Sequence, residues 1–218
     1  MSITEPDDDD ERVMPVRQQR SMVRQQAILH AGRDLLQKVP FDTLRMEQIA
    51  NEANCSVGTL YQRFKDKDAL LDVIMEEVVA ELDDLVTEEV SSHRIRGLSA
   101  QVGIWHVVSV ARGFLLANQG LLRAIIARQL RQSDAISPLQ QAGARVVSVS
   151  FEALSECNDD FRATVTPENY QLALQMVIGT LNNAIISRPG PYQIEDAAIV
   201  DQLTLAVCRI TGLPVSQP

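Results

Sequence analysis

The sequence predicts an all-α protein of two parts, an N-terminal three-helix helix-turn-helix domain followed by a C-terminal helical bundle. Three observations carry this expectation. Residues 45–64, RMEQIANEANCSVGTLYQRF, read as two short amphipathic helices that meet at a tight turn. From Gly97 onward the apolar residues recur at helical spacing, with no alternating run of the kind that marks a half-buried strand. Aliphatic residues are many while aromatics make up only 4%, a balance that suits helix packing.

Taken in order, residues 1–20 are expected to form a disordered acidic tail: they are polar, contain Pro6 and Pro15, and hold too little apolar surface to fold alone. Arg17, Arg20 and Arg24 form a basic arm at the start of the first helix, suited to a groove or a phosphate backbone. The first helix is predicted from about Met22 to Lys38, burying Ala27, Ile28, Ala31 and Leu35, and Val39-Pro40 ends it because the residue before proline is pushed out of helical geometry. After the 45–64 motif, Lys67 to about Val90 reads as one long helix with Leu71, Ile74, Val78, Leu82 and Leu85 on a stripe. It leaves the first domain and enters the second. Helices then follow over about 98–116, 121–130 and 138–157, with Pro138 at a first helical position and Asn158-Asp159-Asp160 as the stop. Thr166-Pro167-Glu168 opens a helix to about Ser187, Arg188-Pro189-Gly190-Pro191 breaks the chain, and a last helix runs from about Glu195 to Thr211, stopping at Gly212. The domain limits expected are 21–81 for the helix-turn-helix part and 82–218 for the bundle.

In the 45–64 motif, Met46, Ile49, Ala50 and Ala53 lie at i, i+3, i+4 and i+7, one apolar stripe of the first short helix. Asn54 tolerates the left-handed backbone a reversal needs, and Ser56 is a good N-cap for a second helix starting at Val57. There Val57, Leu60 and Phe64 face inward, leaving Gly58, Thr59, Gln62 and Arg63 outside. That face suits the major groove of DNA. The Gln62 amide can pair with a base edge in two hydrogen bonds, Thr59 and Val57 can add a hydrogen bond and a thymine-methyl contact, and Tyr61, Arg45 and Lys67 can bind phosphates while Gly58 lets the backbone approach.

The stretch Phe41–Leu71, FDTLRMEQIANEANCSVGTLYQRFKDKDALL, resembles the DNA-binding domain of the tetracycline-repressor (TetR) family of bacterial transcriptional regulators. The resemblance rests on Ile49-Ala50, on Gly58-Thr59-Leu60-Tyr61 and on Phe64, Lys67 and Leu70. The chain departs from the pattern in its turn, Ala53-Asn54-Cys55-Ser56, and in Leu44, where the family usually has a threonine; that capping and phosphate role shifts to Thr43 and Arg45. The resemblance implies a ligand-released repressor, homodimeric on a near-palindromic double-stranded operator, with an unknown small-molecule effector inside the bundle. It also implies a dimer interface made mainly by the 167–187 and 195–211 helices. Their stripes, Leu174, Ile178, Leu181 and Ile185 with Leu203, Val207 and Ile210, suit a four-helix interface while also serving the core. The effector-binding candidates are Trp105, His106, Asn118, Phe151 and Met176, polar or bulky residues on apolar helices.

The net charge of −9 is unevenly spread: residues 1–11 hold six acids and no base, residues 12–67 ten bases against five acids, and residues 68–218 ten against eighteen. Only the helix-turn-helix segment is basic, as phosphate binding requires. The three cysteines, Cys55, Cys157 and Cys208, are widely spaced and odd in number, which argues against a disulfide framework. The acidic N-terminus is no secretion signal and there is no run of about eighteen apolar residues, so a cytoplasmic protein without a membrane span is expected. No catalytic motif, metal-ligand spacing or cofactor site is recognisable, so neither enzyme activity nor a cofactor is expected. The alternative from another class is a helical small-molecule carrier or enzyme with a vestigial helix-turn-helix; a third reading, within DNA binding, is an architectural protein without an effector.

Overall fold

A computed structural model of the chain describes residues 16–129, 138–188 and 190–215, and among these every regular element is a helix. Helix α1 spans Val16–Lys38, six residues longer at its start than the pattern suggested. Of the expected tail, residues 1–15 lie outside the described residues, whereas 16–20 are helical: Arg and Gln are good helix formers, and no glycine or proline interrupts them. Helices α2 (Met46–Glu52) and α3 (Val57–Tyr61) complete the three-helix unit. Its core is Ile28, Leu29, Leu36, Phe41, Ile49 and Leu60, each at most 5% exposed.

Helix α4 (Lys67–Glu89) is capped by Asp66, whose carboxylate accepts the Ala69 N–H at 2.8 Å. It runs for 23 residues, about 34 Å at the usual rise per residue. Its first half packs Leu70, Leu71 and Ile74 into the three-helix unit, and its second half carries Leu82 and Val86 into the bundle. The bundle consists of α5 (Ser92–Ile95), α6 (Ala100–Ala117), α7 (Gln119–Gln129), α8 (Pro138–Cys157), α9 (Asp159–Thr164), α10 (Pro167–Ile186) and α11 (Ala198–Thr211). Helix α6 is long and apolar enough to cross a membrane by length and composition; here it packs against α10 and α11.

In the bundle, three features depart from the sequence reading, each for a local reason. Asn158 does not only end α8: its side chain accepts the Phe161 N–H at 2.9 Å and so caps α9, which the buried Phe161 anchors. The one-turn α5 places Ile95 in the core at 1% exposure. Helix α11 starts at Ala198 because Gln193–Asp196 is a turn, with the Gln193 N–H donating to the Asp196 carboxylate at 2.7 Å. Pro189, at the expected break, lies outside the described residues. At the far end Gly212 takes φ 78°, the left-handed stop expected there.

The apolar stripes expected to form a dimer interface are largely spent inside the subunit. Leu174, Leu181, Ile185, Leu203 and Val207 are buried, where α10 and α11 pack on each other and on α6. A different face of α10 remains open, with Leu172 and Met176 each 52% exposed and Ile186 49%.

Candidate functional site

The turn between α2 and α3 is set by backbone chemistry. Ala53 ends α2 and Asn54 takes φ 50°, with the Asn54 N–H on the Asn51 carbonyl at 3.2 Å and the Cys55 N–H on the Ala50 carbonyl at 2.9 Å. This is the paired closure that a left-handed residue allows at a helix end. Cys55 supplies the partly buried apolar side chain that accompanies such a stop. Ser56 then caps α3, its hydroxyl oxygen accepting the Thr59 N–H at 3.1 Å and lying 2.9 Å from the Thr59 hydroxyl. Leu60 and Phe64 pin the inner face.

What is left outside is the surface that can meet DNA. Gly58, Tyr61 and Gln62 are exposed, Val57 and Thr59 half-buried. Helix α3 stops at Tyr61, shorter than the expected run to Phe64, so Gln62 stands at its C-cap, and the Arg63 and Phe64 N–H groups both return to the Leu60 carbonyl at 3.0 Å. Arg45 caps α2 from an extended backbone and its N–H is held by the Gln48 side chain at 2.9 Å, while its guanidinium is exposed. Arg63, expected on the outer face, turns back to α1 and donates to the Ser21 hydroxyl at 2.8 Å, clamping the recognition helix to its support.

Lys67, expected to contact phosphate, is engaged within the domain in this structure. Its ammonium donates to the carbonyls of Phe41, Asp42 and Leu44 at 2.9, 3.2 and 3.4 Å and lies 4.7 Å from the centre of the Phe41 ring. All three of its N–H bonds are thereby met. Lys67 holds the loop that enters α2 rather than presenting a free cation. Thr43 likewise closes its own turn, donating to the Pro40 carbonyl at 2.9 Å.

Behind this domain lies a cavity of about 390 Å³ between α4, α6, α7, α8 and α10. Leu82, Val86 and Val90 at the end of α4 form one wall, and Phe114, Leu122 and Ile125 of α6 and α7 another. The remaining polar lining is made of carboxamides, Gln129, Gln140, Gln171, Gln175 and Asn182.

The turn between α6 and α7, one wall's edge, docks on α1. The Gln37 amide donates to the Ala117 carbonyl at 2.9 Å and accepts the Gly120 N–H at 3.2 Å. Arg33 forms a two-pronged pair with Glu81 of α4 and reaches the Asn118 side chain at 3.2 Å; the Glu81 carboxylate raises the Arg33 pKa further still. Gly120 sits so close to α1 that a Cβ there would overlap the Leu36 carbonyl.

Residues 28–74, from within α1 to the middle of α4, match the family model described as "Bacterial regulatory proteins, tetR family". Over these residues the chain carries a DNA-binding domain of the TetR type. Solved structures similar over most of its length include transcriptional regulators described as TetR proteins. A TetR transcriptional regulator from a Rhodococcus species is 19% identical with a TM-score of 0.54, covering 88% of this chain and 96% of its own. A TetR-family regulator from Streptomyces coelicolor is 14% identical with a TM-score of 0.61, covering 90% and 80%. The fatty acid degradation regulator FadR from Bacillus halodurans is 16% identical with a TM-score of 0.59, covering 84% and 94%. At these identities the likeness is one of fold. No curated protein matches the sequence.

The five residues expected to bind an effector do not line the cavity. Trp105 is 42% exposed and its indole N–H donates to Asp201 of α11 at 2.8 Å. His106 bonds through Nε2 to the Glu89 carbonyl at 2.7 Å, tying α6 to the end of α4. Asn118 is buried at the domain junction, donating to the Phe114 carbonyl and accepting from Arg33. Phe151 packs edge-on to Phe161 and tilted against Tyr170, ring centroids 5.6 and 5.7 Å away. Met176 points outward from α10. Bulk and polarity single these residues out in a sequence, but none of them faces the cavity. The signal for the true lining was the spacing of Gln171, Gln175 and Asn182, which puts three amides on one face of α10.

Proposed function

We propose that this DNA-binding transcriptional regulator is a ligand-released repressor, acting as a homodimer on a near-palindromic operator in the cytoplasm. The observation that carries the reading is the continuity of α4: its first half lies in the core of the helix-turn-helix unit, and Leu82, Val86 and Val90 at its far end line the cavity. On this reading the DNA-binding part is residues 21–81 and the effector and dimerisation part 82–218. A ligand that prefers another placement of α4 shifts the recognition helices, and its effect on DNA affinity is no larger than its differential affinity for the two placements. The junction of Arg33, Gln37 and Gly120 with the α6–α7 turn is the second path by which a filled cavity moves α1.

Base readout is assigned to Gln62, with Val57 and Thr59 beside it, and phosphate contacts to Arg45 and Tyr61, with Gly58 allowing close approach. Ser56 holds the start of α3. The dimer is assigned to α10 and α11, with the exposed Leu172, Met176 and Ile186 at its centre. Two recognition helices read one face of a duplex only when about 34–36 Å apart, which is one turn.

The test is selection of bound DNA from a random library together with light scattering. The reading expects an inverted repeat and a two-chain particle, with Met176→Glu giving single chains that lose the repeat's affinity. A monomer bound to an asymmetric site refutes the dimeric repressor. No selected site, with the cavity still able to take a ligand, leaves the carrier reading.

A further inference from the structure

We infer that the cavity takes a neutral, largely apolar small molecule carrying a hydrogen-bond donor that meets Asn182; the inference deepens the effector reading above and rests on it. The cavity's size falls within the roughly 300–1,000 Å³ of small-molecule sites. Among the described residues its lining holds no Asp, Glu, Lys, Arg or His. The walls are Leu, Val, Ile and Phe, and every hydrogen-bonding side chain on them is a carboxamide. An ionised ligand entering here would give up its water for amides and methyl groups, without a counter-charge to offset the loss. A neutral apolar body loses nothing of that kind and gains by leaving water.

One polar atom in this lining lacks a partner. The Oδ1 of Asn182 is buried with no hydrogen bond, and an acceptor left so is costly unless a donor reaches it. Asn182 stands on α10, on the same face as Gln171 and Gln175, so the polar end of the ligand lies along α10 and its apolar body toward Val86, Phe114 and Ile125. The space itself is made by small residues. Gly143 and Ala144 of α8 line it, and a Cβ placed on Gly143 would meet no atom within 4 Å. A glycine inside a helix is less stable than alanine there by about 0.5–1 kcal/mol. Its position here keeps the cavity open.

The test uses the full chain and two matched fluorescent probes. N-phenylnaphthylamine is neutral and apolar with one N–H donor; anilinonaphthalene sulfonate has the same body with a permanent negative charge. Saturable fluorescence of the amine is expected, with the sulfonate at least about tenfold weaker. Gly143→Leu fills the space and abolishes uptake of the amine while circular dichroism stays helical. Asn182→Leu keeps the volume, removes the acceptor and weakens the amine by between about two- and tenfold. Equal or tighter binding of the sulfonate overturns the neutral class, amine binding unaffected by Gly143→Leu overturns the location, and binding unaffected by Asn182→Leu overturns the donor. DNA binding by the ligand-free protein is measured in parallel. Amine uptake without DNA binding sinks the repressor reading and leaves the cavity assignment standing; DNA binding with no amine uptake does the reverse.

Discussion

Substituting Gly120 by alanine tests how tightly the two parts of the molecule are joined. A Cβ at this position would overlap the Leu36 carbonyl oxygen and carbon and crowd the Gln37 nitrogen, all of them backbone of α1. No flexible side chain can yield, so α7 must back away from α1. Such overpacking costs about 1–3 kcal/mol. The same movement stretches the two hydrogen bonds of Gln37, at 2.9 and 3.2 Å, at about 1 kcal/mol for each one lost. The gain in helix propensity from glycine to alanine returns at most about 1 kcal/mol. The net loss is about 2–4 kcal/mol, which for a chain of this size lowers the melting temperature by about 4–16 °C. The control is Gly113→Ala on α6, where the added Cβ meets nothing within 4 Å, so the variant should gain up to about 1 kcal/mol. Urea unfolding of both variants decides the matter. A Gly120→Ala protein as stable as Gly113→Ala would refute the close docking of α7 on α1, and with it the second path from cavity to DNA.

Three further outcomes follow from single residues. Asn54→Ala removes the short polar side chain that lets a residue with a β-carbon hold the left-handed region at φ 50° and should lower stability by about 1 kcal/mol, whereas Asn54→Gly should not, as urea unfolding will report. Lys67→Met removes the three carbonyl bonds and should cost about 1–3 kcal/mol in stability. It should weaken DNA binding without changing the salt slope, because Lys67 acts through the loop; a slope lower by about 1 would instead make Lys67 a direct phosphate contact. Burial raises the Tyr170 pKa well above its ordinary value, outweighing the opposing hydrogen bond to Ser150. The unfolded chain therefore releases this proton first, and stability is lost as the pH climbs above about 10. Tyr170→Phe should cost about 1 kcal/mol at neutral pH and flatten that alkaline fall, measured by thermal unfolding across pH.

The helices were legible where caps and breakers are local. Asn54, Ser56, Pro138, Thr166 and Gly212 each did what their chemistry dictates within four residues. The outer face of α3 was legible for the same reason, since Leu60 and Phe64 fix which side is buried. The contacts that run far along the chain were not legible. Lys67 reads as a free cation until the loop 41–44 folds over it, and Arg63 reads as outward-facing until α1 supplies Ser21. The cavity was least legible of all, because it is defined by what is small, Gly143 and Ala144, and not by the bulky residues that attract notice. The exposed stripe of Leu172, Met176 and Ile186 was masked by a stronger apolar stripe one position away on the same helix.

The most direct measurement of the central claim is salt-titrated fluorescence anisotropy on the selected operator, comparing the parent with Gln62→Ala and Arg45→Ala. If the outer face of α3 reads bases and Arg45 holds a phosphate, Gln62→Ala loses about 1–3 kcal/mol of discrimination against operators changed at one position. Arg45→Ala then weakens all sequences alike and lowers the salt slope by about 1. A Gln62→Ala protein as selective as the parent, on DNA that the parent binds saturably, would contradict the account.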